Sequence, residues 1–89
     1  MAEVSAYEVN KLCRRALREP LFRAALREDP AGVLSGLDLT EAERAGLLAG
    51  EVGELYRLGA SAFLLSYLPR WGLFGLDVEI YGNRMRAAG

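Results

Sequence analysis

The sequence predicts an all-α fold, a compact single domain of six or seven short helices spanning residues 1–89. Apolar residues recur at spacings of three and four, which is the period of a helix with one buried face. Two capping-box sequences, at residues 5–8 and 40–43, mark helix starts. No segment shows the alternation of β-branched and polar residues that is typical of a strand. A chain of 89 residues has room for one hydrophobic core.

The first helix is predicted to begin near Ala6, inside the capping box that runs from Ser5 to Glu8. In such a box the serine hydroxyl and the glutamate carboxylate each accept a hydrogen bond from an otherwise free backbone N–H. Apolar residues then follow helical spacing, and they are predicted to form the buried stripe: Val9, Leu12, Cys13, Ala16 and Leu17. Pro20 ends this helix, because proline is tolerated in the first turn of a helix and not in its interior.

Pro20 and Pro30 each open a further helix. The helix after Pro20 is predicted to turn four side chains inward: Leu21, Phe22, Ala25 and Leu26. Asp29 is a suitable N-cap for the next, short helix, which runs from Ala31 to Ser35.

Three helices are predicted over the following residues. Thr40 and Glu43 form the second capping box and start a helix over Glu41–Ala49, and Gly50 ends it. A short helix over Glu51–Leu58 comes next. The third, over Ala60–Leu68, carries large apolar side chains around its whole circumference and is therefore predicted to form the centre of the core.

An apolar connector follows Pro69 and leads to a last helix, predicted from Val78 to about Ala87 with Asp77 as its N-cap. Four large side chains are concentrated at or beside this connector, and they form the predicted partner-docking surface: Tyr67, Arg70, Trp71 and Phe74. Tryptophan, tyrosine and arginine are enriched at binding hot spots. The alternative is that Trp71 and Phe74 close the core of the domain itself.

Charge and hydropathy exclude several classes of partner. The net charge of −1 does not suit a nucleic-acid-binding protein, which needs an excess of lysine and arginine. Charge is segregated, at +3 over residues 1–27, −6 over residues 28–54 and +2 over residues 55–89. The longest apolar run, Leu58–Leu68, is about half of the roughly 20 residues that a membrane-spanning helix needs. The single cysteine and the lack of a secretory signal in these residues predict a cytoplasmic protein.

The sequence has no histidine. Catalytic triads, imidazole general bases and the iron site built from two histidines and one carboxylate therefore cannot be formed within it. Its glutamates at helix starts are better explained as caps than as general acids or bases. Cys13 lies beside two arginines that could lower the pKa of its thiol, but its place in the apolar stripe predicts a core residue. We therefore expect no catalysis by this chain alone, and no cofactor or metal bound by it.

Two stretches carry a family resemblance: residues 21–30, LFRAALREDP, and residues 36–44, GLDLTEAER. The pieces GEVGEL at 50–55 and LGASAFLL at 58–65 agree with the same pattern in order and spacing. Over about residues 20–76 the chain resembles the small, LigA-type alpha subunit of protocatechuate 4,5-dioxygenase-like extradiol ring-cleavage dioxygenases.

The resemblance implies an accessory role. In that family the larger subunit supplies the iron ligands and the catalytic base, and the small helical subunit covers the active site. This chain would then dock on such a subunit, with Fe(II) held by the partner. The alternative is a stand-alone recognition or precursor-leader domain that an unrelated modifying enzyme binds, and self-association also remains open. The capped last helix favours the accessory subunit over a precursor, which normally ends in a flexible tail.

Overall fold

Residues 6–88, the part of the chain that the structure describes, form helices joined by short turns in a computed structural model. Within this part there is no strand, so the predicted all-α class is confirmed. The elements, in chain order, are α1 (Tyr7–Arg18), α2 (Pro20–Glu28), α3 (Pro30–Ser35), α4 (Glu41–Ala49), α5 (Val52–Arg57), α6 (Ala62–Leu65), α7 (Tyr67–Arg70), a single 3₁₀ turn (Leu73–Gly75) and α8 (Val78–Ala88). Ser66 keeps helical backbone angles between α6 and α7, which are therefore one helix with a kink.

Capping side chains set several of these boundaries as predicted. Pro20 and Pro30 occupy the first positions of α2 and α3. The Asp29 carboxylate accepts a 3.1 Å hydrogen bond from the backbone N–H of Gly32. At α4 both bonds of the capping box are present, from Glu43 N–H to the Thr40 hydroxyl at 3.1 Å and from Thr40 N–H to the Glu43 carboxylate at 2.9 Å.

The start of α1 lies one residue from the predicted position. The helix begins at Tyr7, and Ala6 is its N-cap residue, with a left-handed backbone at φ 60°. Ser5, the predicted capping residue, lies outside the described residues.

The core is rich in leucine and is drawn from nearly every helix. Its fully buried larger side chains are Val9, Leu26, Leu34, Leu47, Val52, Leu55, Leu65, Leu68 and Leu73. The predicted stripe of α1 is buried except for Leu17, which is 40% exposed at the last turn. In α2 Phe22 and Leu26 are buried as predicted, but Leu21 is 86% exposed and Ala25 is also exposed. Leu21 stands in the first turn of α2 beside Pro20, which is itself exposed.

The predicted helix over Ala60–Leu68 is wrong at both ends and in its role. It starts at Ala62, after Ser61, whose hydroxyl accepts a hydrogen bond from the N–H of Leu64, and it continues through Pro69 to Arg70. The kink at Ser66 places Pro69 in the first turn of α7, where a missing N–H removes no helical hydrogen bond. The helix presents one face to the core and the other outward, so Phe63 is 67% exposed.

Helix α8 packs on α5 through a close approach at Gly53. A Cβ atom at Gly53 would lie 2.7 Å from the carbonyl oxygen of Arg84 and 2.8 Å from the Cβ of Ala88. The Arg84 guanidinium donates to the carbonyls of Ala49 and Gly50 at 2.9 and 2.8 Å, and so caps the end of α4. No residue of α8 is fully buried, but Ile80, Tyr81 and Met85 are partly buried and pack against the core.

Candidate partner-docking surface

Three of the four predicted docking residues lie together at α7. Tyr67 and Arg70 belong to this helix, and Trp71 is its C-cap. The Tyr67 and Trp71 rings are stacked, with 5.4 Å between their centroids and 19° between their planes. The Arg70 guanidinium lies over the Tyr67 ring at 5.4 Å from its centroid. Tyr67 and Trp71 are half-buried and Arg70 is exposed, so each presents part of its side chain to solvent.

The fourth predicted residue, Phe74, occupies a different place. It lies within the 3₁₀ turn in a left-handed conformation, φ 56°, and its half-buried ring packs against the hydrophobic core. Its carbonyl oxygen faces Gly50, where a Cβ would approach it to 2.7 Å. Phe74 therefore joins the connector to the end of α4, and it does not take part in the ring series of α7.

Three residues that sequence reasoning missed complete the surface around Tyr67 and Trp71. Phe63 meets Tyr67 edge to face, with 5.4 Å between the ring centroids. On the other side, the Arg23 guanidinium lies 5.2 Å from the centroid of the Trp71 ring. Arg27 donates a 2.6 Å hydrogen bond to the Trp71 carbonyl. We call these six residues the aromatic–arginine surface: Arg23, Arg27, Phe63, Tyr67, Arg70 and Trp71.

The missed residues did leave a signal in the sequence. Phe63, Tyr67 and Trp71 are spaced by four residues each, which places them along one face of a helix that continues through Pro69. Arg23 and Arg27 have the same spacing on α2. The predicted helix over Ala60–Leu68 ends before Pro69 and does not include Trp71, so the four-residue spacing of the three rings was not recognised.

Helix α1 holds this surface in position. The Arg23 guanidinium donates to the carbonyl of Ala16 at 2.8 Å and to that of Leu17 at 3.3 Å, at the end of α1 where carbonyls lack helical partners. The Asn10 side-chain oxygen accepts a 2.8 Å hydrogen bond from the N–H of Ser61, just before α6. Both helices that carry the surface are thus tied to α1, and the side chain of Arg23 is fixed before any partner arrives.

The aromatic–arginine surface is positively charged. Within residues 6–88, ion pairs with carboxylates are formed by Arg15, Arg44 and Arg57. The guanidiniums of Arg23, Arg27 and Arg70 have no carboxylate among the described residues within salt-bridge distance. Among residues 6–88 these guanidiniums contact aromatic rings and backbone carbonyls, and no carboxylate of this range pairs with their positive charge.

Titratable groups elsewhere in the described residues do not form a reactive site. Cys13 is buried, and burial raises the pKa of its thiol to about 12 against the smaller lowering effect of Arg14. The predicted core role of Cys13 is confirmed, and the two neighbouring arginines do not activate it. Partial burial also raises the pKa of Tyr81, whose hydroxyl donates to the carbonyl of Ala62.

The donor set of the chain does not fit an iron ion. There is no histidine in the sequence, and residues 6–88 bring together no group of three cysteine, aspartate or glutamate side chains with the geometry of a metal site. Non-haem iron in oxygenases is held by imidazole and carboxylate ligands.

No helix within residues 6–88 has the length and apolar character to cross a membrane.

Fold and surface together define a small all-helical protein whose exposed face combines aromatic rings with arginine, the residue types found at protein–protein interfaces. A family model described as the LigA subunit of the aromatic-ring-opening dioxygenase LigAB matches residues 9–88, and the chain belongs to this family. The match extends from the first turn of α1 to the end of α8, beyond the resemblance over residues 20–76. No curated protein matches the chain. No solved structure matches it either.

Proposed function

We propose that this chain is a non-catalytic accessory subunit that docks on the large subunit of a non-haem iron extradiol dioxygenase and caps its active site. The observation that carries the proposal is the family match over residues 9–88, which identifies a small subunit of a two-subunit ring-opening enzyme. The large subunit would hold Fe(II) and supply the catalytic base, because this chain offers no imidazole for either task.

The docking contact is proposed at the connector region, where Tyr67, Arg70, Trp71 and Phe74 were predicted to form it. Aromatic and arginine side chains support this choice, since they combine a large contact area with a polar group at the tip. Tyr67, Arg70 and Trp71 are the members that reach the surface together, and Phe74 would support them from the core side.

The alternative of a precursor-leader domain has less support. The family matched over residues 9–88 is that of an enzyme subunit, and α8 belongs to the same folded unit, since it packs on α5 and is tied to α4 by Arg84. The family match also includes this last helix. The buried free thiol of Cys13 is consistent with a reducing cytoplasm, the compartment that we propose for the complex.

Reconstitution from separate subunits tests the proposal. The chain and a candidate large dioxygenase subunit, sought among the neighbouring open reading frames, would be purified separately, and oxygen uptake and ring opening of a catechol would be measured for each alone and for the mixture. We expect no turnover by the chain alone and higher kcat/KM for the mixture than for the large subunit alone. Ring opening by the iron-loaded chain alone would contradict the proposal, and so would a mixture that behaves as the large subunit does by itself.

A further inference from the structure

We propose that the aromatic–arginine surface binds an acidic, apolar segment of the large subunit, with an apolar side chain of that segment covering Phe63 and its carboxylates pairing with Arg27 and Arg70. This inference rests on the proposed function, and it adds the chemistry of the partner and the residues that recognise it. It also adds Phe63 to the proposed contact, from which Phe74 is left out because its ring packs against the core.

Phe63 supplies the apolar part of the contact. Its side chain is 67% exposed although it belongs to a continuous series of packed rings with Tyr67 and Trp71. Leu64 and Leu65, the next two residues, are buried in the core and fix the helix that carries Phe63. Because the edge-to-face contact with Tyr67 already restricts the Phe63 ring, its side chain loses less entropy on binding. Burial of its apolar surface by a partner is therefore favourable.

Charge selects the partner. Arg23, Arg27 and Arg70 surround the ring series and pair with no carboxylate among residues 6–88. Arg27 donates one N–H group to the Trp71 carbonyl, and the Arg70 guanidinium lies over the face of the Tyr67 ring. Both guanidiniums therefore have further N–H donors for a carboxylate. Arginine and carboxylate form paired, charge-assisted hydrogen bonds, which are stronger than neutral ones.

A second copy of the chain is a poorer occupant. In a two-fold dimer the same patch of each subunit faces its equivalent. Such a dimer through the aromatic–arginine surface would bring the three guanidiniums of each copy against those of the other, and the repulsion opposes association. A partner with carboxylates around an apolar side chain meets no such repulsion.

The test uses two variants of the surface and two matched controls. Phe63→Ala removes the exposed ring, and Arg70→Glu reverses one charge. The controls are Tyr56→Ala on α5 and Arg86→Glu on α8, exposed residues on helices that contribute nothing to the aromatic–arginine surface. Melting temperatures of all four are measured first, and affinity for the purified large subunit is then measured by calorimetry at low and high salt.

We expect Phe63→Ala and Arg70→Glu to keep the wild-type melting temperature and each to weaken binding by about tenfold or more, whereas the controls change it by less than about threefold. Arg70→Glu should also flatten the salt dependence of the affinity, since it removes an attractive charge. Wild-type affinity in both surface variants overturns this inference and leaves the proposed function standing. A wild-type chain that does not bind the large subunit overturns the proposed function itself. Sedimentation of the chain alone as a dimer that Phe63→Ala dissociates overturns the inference in favour of self-association.

Discussion

Trp71 has two roles at the scale of single residues, because its ring is half-buried. One side packs against the core, and the ring also stacks between Tyr67 and the Arg23 guanidinium. Its position therefore lies between the two alternatives that the sequence leaves open, a partner anchor and a core residue. Leu68, in the preceding turn, is completely buried and offers an internal reference.

Trp71→Ala should lower the free energy of unfolding of the isolated chain by about 1–3 kcal/mol, less than full burial of an aromatic ring would imply. Leu68→Ala should cost about 2–5 kcal/mol, since it leaves a cavity in the core. Chemical denaturation of both variants checks that Leu68→Ala lowers the free energy of unfolding more than Trp71→Ala does. A Trp71→Ala chain that is unfolded in buffer while Leu68→Ala stays folded would show Trp71 to be the stronger core residue.

Burial of Cys13 gives stability a dependence on pH. The pKa of its thiol is raised to about 12 in the folded chain, so between the ordinary value of 9.0 and 12 the unfolded chain releases the proton and the folded chain keeps it. Stability is therefore complete below about pH 9 and falls as the pH rises, by roughly 1 kcal/mol at pH 10.

Urea denaturation at pH 8 and pH 10 measures this loss, with Cys13→Ala as the control because it has no thiol to titrate. Cys13→Ala is less stable at both pH values, but the drop between them should be smaller than in the wild type. An equal drop in the two proteins would show that the thiol contributes nothing to the pH dependence. Rapid reaction of Cys13 with a thiol reagent in the native chain would contradict its burial.

Single residues were predictable where local chemistry decides the outcome. The Thr40–Glu43 capping box, the Asp29 N-cap and Pro30 at the first position of α3 depend only on residues a few positions away in the sequence. The exposure of Phe63 and Leu21 depends on which helices pack nearby. The apolar character of a residue does not by itself show whether its side chain faces the core or the solvent. Arg23 and Trp71 are 48 residues apart in the sequence, and only the folded chain brings them together.

At the scale of elements, the break at Ser66 explains the largest error of prediction. Proline was expected to end the helix before it, yet α7 contains Pro69 because a new first turn begins at Tyr67. The four-residue segment after the kink is too short for its periodicity to be recognised in a sequence, and its stability comes from packing. Three helices whose predicted capping residues are present, α3, α4 and α8, were predicted to within one residue.

The contact between α5 and α8 gives a prediction for an element as a whole. Gly53→Ala places a Cβ within 2.7 Å of the Arg84 carbonyl oxygen and 2.8 Å of Ala88, so α8 must move away from α5. We expect a loss of about 1–3 kcal/mol in the free energy of unfolding. The rate of amide hydrogen exchange should also increase more in α8 than in α1.

Gly36→Ala is the matched control for this substitution. The backbone at Gly36 has φ −89°, and a Cβ there would meet its nearest neighbour, the carbonyl oxygen of Val33, at an ordinary 3.7 Å. It should keep or slightly raise the melting temperature, since alanine restricts the unfolded chain more than glycine does. Equal stability of the two variants would contradict the close approach at Gly53.

For the whole molecule, the family match and the fold agree on a small helical subunit. The exposed aromatic and arginine side chains of the aromatic–arginine surface favour binding to a partner. Residues 9–88 match the LigA subunit family, and the described helices enclose one leucine-rich core. A domain of this size buries a limited fraction of its surface, and association with the proposed larger subunit would stabilise it by mass action. The melting temperature of the chain should therefore rise on addition of the large subunit.

The central claim is that this chain forms a specific complex with the large, iron-holding subunit of a ring-opening dioxygenase. Calorimetric titration of the chain into a purified candidate large subunit, sought among the neighbouring open reading frames, tests the claim most directly. We predict saturable binding with one chain per large subunit, weakened about tenfold or more by Phe63→Ala and little by Tyr56→Ala. A flat titration at concentrations of about 100 μM, with both proteins folded, would contradict the claim, since specific subunit contacts are normally far tighter than this.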